Sequence, residues 1–515
     1  MTKPSRRGFM KASAVAGAAM TLPAASYAKV LRANGTVNVG FVGVGGRCQQ
    51  HIDVILKMQG EKKGVKPVAV CDVWDGQSVK GLIRGRGLYP SAMKCGLPEG
   101  DKKVVTKDYR NVLDNKDVDV VVVATPDHWH AKIAIDAMTA GKDVYCEKPM
   151  TRTIAEAQAV VDTWKKTGRV MTVGVQSTAD PTWRLAYEHI KKGNIGKVVM
   201  GQTSYFRNSD VGQWRYYPLT KEMSPKTIDW DTWLGHKVEL NGEKLGPSPE
   251  QMPFDRAVWA QWRCYWPFGG GMFTDLFVHQ TTHLISAMGV RYPRRVVGGG
   301  GIYLEYDSRD VPDVATVVAD YDEGCQVIIT ATMCNDHRIE ECIRGHSATL
   351  VFDYFPIDPK DPKGKKQFGF KILPQSVKSA PRGPSGEVNK EGEVVLGGLD
   401  GDDTYALWVN HLAHVQSRNQ DTFSTPELGA AAFSTVNMGV LSYRYGKALF
   451  WDKEQRKPVD ADASWAQKWE TRSEHRGEPS HIIGWQGGDK GSRLNPPDYQ
   501  KLEGPWVNGK DPAAS

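Results

Sequence analysis

The sequence has no cysteine pair at C-x-x-C spacing. Its eight cysteines stand apart at Cys48, Cys71, Cys95, Cys146, Cys264, Cys325, Cys334 and Cys342, which argues against a zinc framework or a redox pair. It also lacks a basic block. Lys and Arg exceed Asp and Glu by only +7 over 515 residues, too little and too dispersed for a nucleic-acid partner. No apolar run reaches the roughly 20 residues that span a bilayer, and no segment repeats. With 40% hydrophobic and 24% charged residues, the composition excludes a collagen, a coiled coil or a mostly disordered chain. The length allows two or three domains.

What is present begins with an address. Ser5-Arg6-Arg7-Gly8-Phe9-Met10-Lys11 precedes a small-residue apolar run, 12–22, and a small-x-small ending at Ala28. A basic start, a short apolar centre and such an ending make a cleavable export signal. The paired arginines resemble a twin-arginine signal, which carries proteins across already folded. Residues 1–28 are therefore predicted to be removed after Ala28. The mature protein is then periplasmic or otherwise extracytoplasmic, with no membrane attachment and with the Tat machinery as its first partner. Folding before export lets a cofactor be captured in the cytoplasm, and it leaves the cysteines reduced while the chain folds.

A dinucleotide site is predicted next. The apolar run 37–42 suits a buried parallel strand and leads through Gly43-Val44-Gly45-Gly46-Arg47-Cys48 into a helix over 49–58. Gly43 allows the tight turn and Gly45 the close approach of a pyrophosphate, while Cys48 replaces the third glycine of the fingerprint. A second strand, 68–71, ends at Asp72, where an acid meets a ribose hydroxyl and repels the extra phosphate of NADP, so NAD is favoured. Further strands at 118–124 and 143–146 end in Thr125-Pro126-Asp127-His128-Trp129-His130 and Glu147-Lys148-Pro149. Alternating strands and helices predict an α/β, doubly wound parallel sheet with both motifs on its ligand edge. Candidate cofactor contacts are thus Gly43, Gly45, Gly46, Arg47 and Asp72, joined by Thr125, Pro126, His128, His130, Glu147 and Lys148.

These motifs, with 140–149 as a whole, resemble the Gfo/Idh/MocA oxidoreductases of sugars and cyclitols. Weaker similarity continues through 193–198, 230–235 and 269–279. The resemblance implies a Rossmann domain followed by an α/β domain with a large, open, mostly antiparallel sheet. It implies that Lys148 lies near the nicotinamide, and that Asp275 and His279 complete the catalytic set. The chemistry agrees, because oxidising a secondary alcohol needs a proton acceptor and a cation beside the developing alkoxide. At i, i+4 spacing, Asp275 and His279 are predicted on one helical face. The chain departs from the family's pattern at Phe277 and Thr282. Asp275, His279 and His283 form a metal-like ladder, but eight helical residues span about 12 Å, too far for one ion, so no metal is predicted.

The predicted divisions are the signal at 1–28, a Rossmann domain at 36–165, and a substrate and oligomerisation domain at 166–402. Helices at 403–460 (403–418 and 426–449) pack back near the first domain, and a polar tail fills 461–515. The stretch 207–268 is rich in Trp, Tyr and Arg, which suits sugar rings or, equally, a subunit interface or a core. From its neighbourhood Arg263 and Trp266, with His283, are candidate substrate contacts. Residues 357–401 read as one long loop.

The function implied is an exported, NAD-dependent oxidoreductase acting on a ring hydroxyl of a sugar, glycoside or cyclitol. Its cofactor is expected to stay bound, and a homodimer or homotetramer is expected. One alternative is a glycoside-cleaving enzyme that oxidises, eliminates, hydrates and reduces with the same NAD. Relatives of that kind lack the Glu-Lys-Pro of 147–149. A second alternative is a carbohydrate-binding protein without catalysis.

Overall fold

In a computed structural model, residues 35–77, 85–375 and 392–460 are described. The predicted signal at 1–28 and tail at 461–515 lie outside them. Six short apolar runs build the first sheet: β1 (Val37–Val42), β2 (Val65–Cys71), β3 (Val105–Thr106), β4 (Val120–Val123), β5 (Asp143–Glu147) and β6 (Met171–Gly174). They lie parallel in the order β3-β2-β1-β4-β5-β6. β4 is four valines, all buried, as a sheet covered on both faces requires. β6 belongs to this sheet, which therefore runs past the boundary predicted at 165.

One face of the sheet is covered by the helix Gly46–Gly60, through Ile52, Ile55 and Met58. The same cluster includes Leu407, Trp408, Leu412 and Val415 from the helix Asp403–Ser417, so the chain does return to its first domain. The other face carries the helices Asp127–Thr139 and Ile154–Thr167. The latter starts on a capping box between Thr153 and Glu156.

The second sheet begins with β7 (Val198–Asn208). A minor hairpin, β8 (Glu239–Leu240) and β9 (Glu243–Lys244), stands apart from it. β10 (Arg295–Gly301), β11 (Val314–Tyr321), β12 (Cys325–Thr332), β14 (Glu341–Gly345) and β15 (Ala348–Pro356) extend it, with β13 (Cys334–Asn335) pairing only β7. β16 (Lys366–Pro374), β17 (Glu393–Leu396), β18 (Leu449–Asp452) and β19 (Lys457–Asp460) complete it. The β7–β12 pair is parallel and the other pairs are antiparallel.

Two sequence expectations are corrected. The loop predicted over 357–401 contains β16 and β17, because Phe368, Phe370 and Ile372 alternate along β16 and pair with β15 despite the Pro- and Lys-rich flanks. The helix predicted to 449 is Pro426–Tyr445. Gly446 ends it at φ +65°, and Leu449 already belongs to β18.

Candidate active site

The turn after β1 depends on glycine. Gly43 has φ +83°, and a Cβ there would stand 2.6 Å from the Thr125 nitrogen. At Gly45 and Gly46 a Cβ would meet only open space, in the wall of an 880 Å³ cavity that runs along the strand ends. Gly45 caps the following helix with no side-chain bond, leaving first-turn N–H groups available to an anion. Arg47, Asp72, Thr125 and Pro126 line the same cavity.

Asp72 accepts from the Trp74 backbone N–H at 2.9 Å. Burial pushes it up to about 6. Nearby Lys107 is paired with Asp75 (2.6 Å) and Arg110 with Asp108 (3.1 Å), while Arg86 lies over the Trp74 ring at 5.7 Å on the same cavity wall. A glycine cradle, an anion-ready helix start and a carboxylate acceptor fit NAD.

A narrower cavity of 190 Å³ joins the first at Arg47, Thr125, Tyr217 and Arg263. Its walls bring together Glu147, Lys148, Asp275 and His279 from β5 and from two helices, Gly271–Asp275 and Phe277–Met288. The expected single helical face is interrupted. Leu276, at φ −102° and ψ −50°, separates the two helices, yet both side chains still reach the cavity. Lys148 Nζ donates to Asp275 Oδ1 at 2.9 Å and to its carbonyl at 3.1 Å, and Arg263 Nε donates to the same Oδ1 at 2.9 Å. Burial opposes the Asp275 charge, but these two cations hold the carboxyl well below its ordinary range.

His279 is the opposite case. Burial, aided by the Lys148 ammonium, pushes it down to about 3, so its imidazole is neutral near pH 7. Its ring makes no protein hydrogen bond among the described residues. Asp127, on the same cavity wall, is pushed well above its ordinary value by burial and by the Asp275 carboxylate. The two carboxyls are thus pushed in opposite directions, Asp275 down by its cations and Asp127 up by burial and by Asp275.

Glu147 stands behind these groups. It accepts from Arg47 Nε (2.8 Å), faces His51 Nε2 (2.8 Å) and accepts from the Lys148 backbone N–H (3.1 Å). Burial opposes its charge, but Arg47, His51 and Lys148 hold it well below the usual carboxylate range. The Lys148–Pro149 peptide is cis.

Four candidates serve elsewhere. His128 lies 2.9 Å from the Trp233 carbonyl, which also accepts from Trp129 Nε1, so this motif pins the helix Trp230–Leu234 and His128 does not line the cavities. His130 borders the narrower cavity, but its ring nitrogens face the carbonyls of Pro149 and Thr125, each at 2.7 Å, tying the two ligand-edge turns together. Trp266 packs near Tyr443 with Arg444 over its ring, away from the cavities. His283 stacks on Trp183 at 3.9 Å and is held by Ser177 and Glu341, at the edge of a 700 Å³ cavity that shares Arg47, Tyr205 and His279 with the narrower one.

Sequence reasoning did not single out Asp127, Tyr205, Arg207 or Gln213, which line the narrower cavity. Asp127 sits inside the Thr-Pro-Asp-His motif. Tyr205 and Arg207 end β7, where no local pattern marks them. Trp214, Tyr216 and Tyr217, from the aromatic stretch, also line this wall. No group of three or more His, Cys, Asp or Glu among the described residues could hold a metal ion. No described helix is long and apolar enough to cross a membrane.

Comparison with known proteins agrees with this geometry. Residues 37–175 match the oxidoreductase family with an NAD-binding Rossmann fold, GFO/IDH/MocA, and residues 233–351 match the C-terminal domain of the same family. Residues 3–23 match the twin-arginine translocation signal, so the chain is exported by that route. A glycosyl hydrolase family 109 protein of Shewanella pealeana is 29% identical over 43% of this chain and 45% of its own length. An alpha-N-acetylgalactosaminidase of Shewanella oneidensis is 26% identical over the same shares. The chain thus aligns with less than half the length of these relatives. The WlbA dehydrogenase of Bordetella pertussis, solved with NADH and UDP-GlcNAcA, has the same fold: TM-score 0.53, 16% identity, covering 83% of this chain and 100% of that one.

Proposed function

The chain belongs to the GFO/IDH/MocA oxidoreductase family, and from that premise we propose that it moves a hydride between NAD and a ring hydroxyl or ketone of a sugar, glycoside or cyclitol. The observation that carries this reading is the convergence of Lys148, Asp275 and His279 on one small cavity opening from the dinucleotide groove. NAD, when bound, supplies the hydride acceptor at nicotinamide C4. Gly43, Gly45 and Gly46 make room for its diphosphate, and Asp72 accepts from its ribose.

Lys148, fixed by Asp275, points an ammonium at the substrate oxygen and steadies the negative charge that grows there. His279, neutral and unbonded, takes the hydroxyl proton, and in the reverse direction returns it. Arg263 spreads the Asp275 charge over a second cation and lines the cavity. Asp127 lines the same cavity and stands within reach of another ring oxygen. Residues 36–174 thus hold the cofactor, and the segments around 205–217 and 263–283 hold the sugar. A homodimer or homotetramer formed through the open second sheet completes the proposal.

A second reading is favoured by the two Shewanella relatives: glycoside cleavage by oxidation, elimination, hydration and reduction on the same residues. The test is to incubate the folded protein with sugars and glycosides while following nucleotide absorbance and product masses. A stably reduced nucleotide with a keto-sugar supports the dehydrogenase. A broken glycosidic bond without net reduction supports the second reading, and absence of bound nucleotide would overturn both.

A further inference from the structure

Buried side chains connect the helix Asp403–Ser417 to the turn that carries Lys148. Trp408, on Asp403–Ser417, donates from Nε1 to His51 Nδ1 at 2.9 Å. His51 Nε2 lies 2.8 Å from Glu147 Oε1, the oxygen that also accepts from Arg47. Glu147 Oε2 accepts the Lys148 backbone N–H. An indole N–H can only donate, so His51 Nδ1 must accept, and the imidazole proton must sit on Nε2, facing Glu147. An imidazolium would set two N–H groups head to head between His51 and Trp408.

We propose that Trp408 holds His51 in the neutral Nε2–H tautomer, and that both are positioning residues that keep Glu147, and through it Lys148 and Arg47, in register for catalysis. In this tautomer His51 and Arg47 both donate to Glu147 Oε1, and the carboxylate is held from two sides. Tyr145 locks the arrangement, stacking on Trp408 at 4.5 Å and 7° and meeting His51 edge-on at 4.9 Å. The titratable and charged groups around His51 are Glu147, Arg47 and Tyr145. Beyond Trp408 lies His411, bonded to Thr172 at 2.9 Å. Burial also favours the neutral ring. The kinetic part of this proposal rests on the hydride-transfer reading, whereas the tautomer does not.

The test uses the cofactor-loaded protein with nitrogen-labelled histidine, and His51→Gln to assign the His51 signals. The wild-type spectrum should show His51 neutral and protonated on Nε2 at neutral pH. In Trp408→Phe, which keeps the stack on Tyr145, His51 should titrate. The acid limb of the rate profile should then move to higher pH than in the wild type. His51→Gln, whose amide both donates and accepts, should retain turnover that His51→Leu loses.

A charged or Nδ1-protonated His51 in the wild type would overturn the proposal. So would a Trp408→Phe profile lowered equally at every pH, which is what a merely structural role predicts. If Trp408→Phe does not fold, the wild-type spectrum still decides the tautomer. If no sugar supports hydride transfer, the proposed function falls, and the spectra still judge this inference separately.

Discussion

At the scale of single residues, the site separates groups of the same type by their surroundings. Asp275 and Asp127 are both carboxyls, but only Asp275 meets Lys148 and Arg263 directly. His279 keeps its ring unbonded, whereas His128, His130 and His283 have theirs committed to protein partners. Replacing His279 with Asn removes the proton acceptor and should lower kcat by about 10²–10⁴-fold. NAD affinity, measured by fluorescence titration, should stay unchanged, and a weakened affinity would move His279 out of the proposed role.

Asp72 gives a pH prediction. Its carboxyl is pushed up to about 6, so it takes a proton as pH falls through that value and stops serving as an ionised acceptor. NAD binding should therefore weaken between about pH 7.5 and 5 and lose that dependence in Asp72→Asn.

Motif positions were legible at this scale because strand ends of a parallel sheet gather ligands wherever the helices go. Gly43, Asp72, Lys148, Arg263 and His279 all line the two cavities. The sequence did not show which histidine faces the cavity unbonded and which faces a carbonyl. That depends on partners more than a hundred residues away, such as Trp233 for His128.

At the scale of elements, patterned runs were readable and exceptions were not. β4 is a plain valine run, but the break at Leu276 leaves no mark in an apolar helical pattern. β16 was hidden because its pairing partner and turn chemistry, and not its flanking composition, decide that it is a strand. The helix Pro426–Tyr445 shows another fact that sequence leaves silent. It approaches the second sheet through glycines: a Cβ on Gly439 would lie 2.4 Å from Val317 Cγ2, and one on Gly298 would lie 2.1 Å from the Gly439 carbonyl. In an isolated helix Gly→Ala gains about 1 kcal/mol. Here overpacking costs about 1–3 kcal/mol, so Gly439→Ala should lower stability by up to about 2 kcal/mol. Denaturant midpoints check this, and a stabilised variant would mean that the helix and sheet are not in backbone contact.

At the scale of the whole molecule, the strand ends of the first sheet and residues 205–279 line two adjoining cavities, and the helix Asp403–Ser417 buttresses the first sheet through Trp408. Export of a folded chain suits an enzyme whose cofactor is loaded beforehand. Replacing Arg6 and Arg7 together by Lys should leave folded, NAD-loaded protein in the cytoplasm, as cell fractionation with nucleotide analysis would show. Appearance of the variant in the periplasm at wild-type levels would contradict the twin-arginine route.

The central claim is that Lys148, Asp275 and His279 serve one hydride transfer to or from a sugar ring. Its most direct test is a single turnover of the NAD-loaded protein with a reactive sugar, followed by nucleotide absorbance in the wild type and in His279→Asn. We expect a stoichiometric rise of reduced nucleotide with a keto-sugar in the wild type, and the same end point reached far more slowly in the variant. Equal rates in the two proteins would contradict the account.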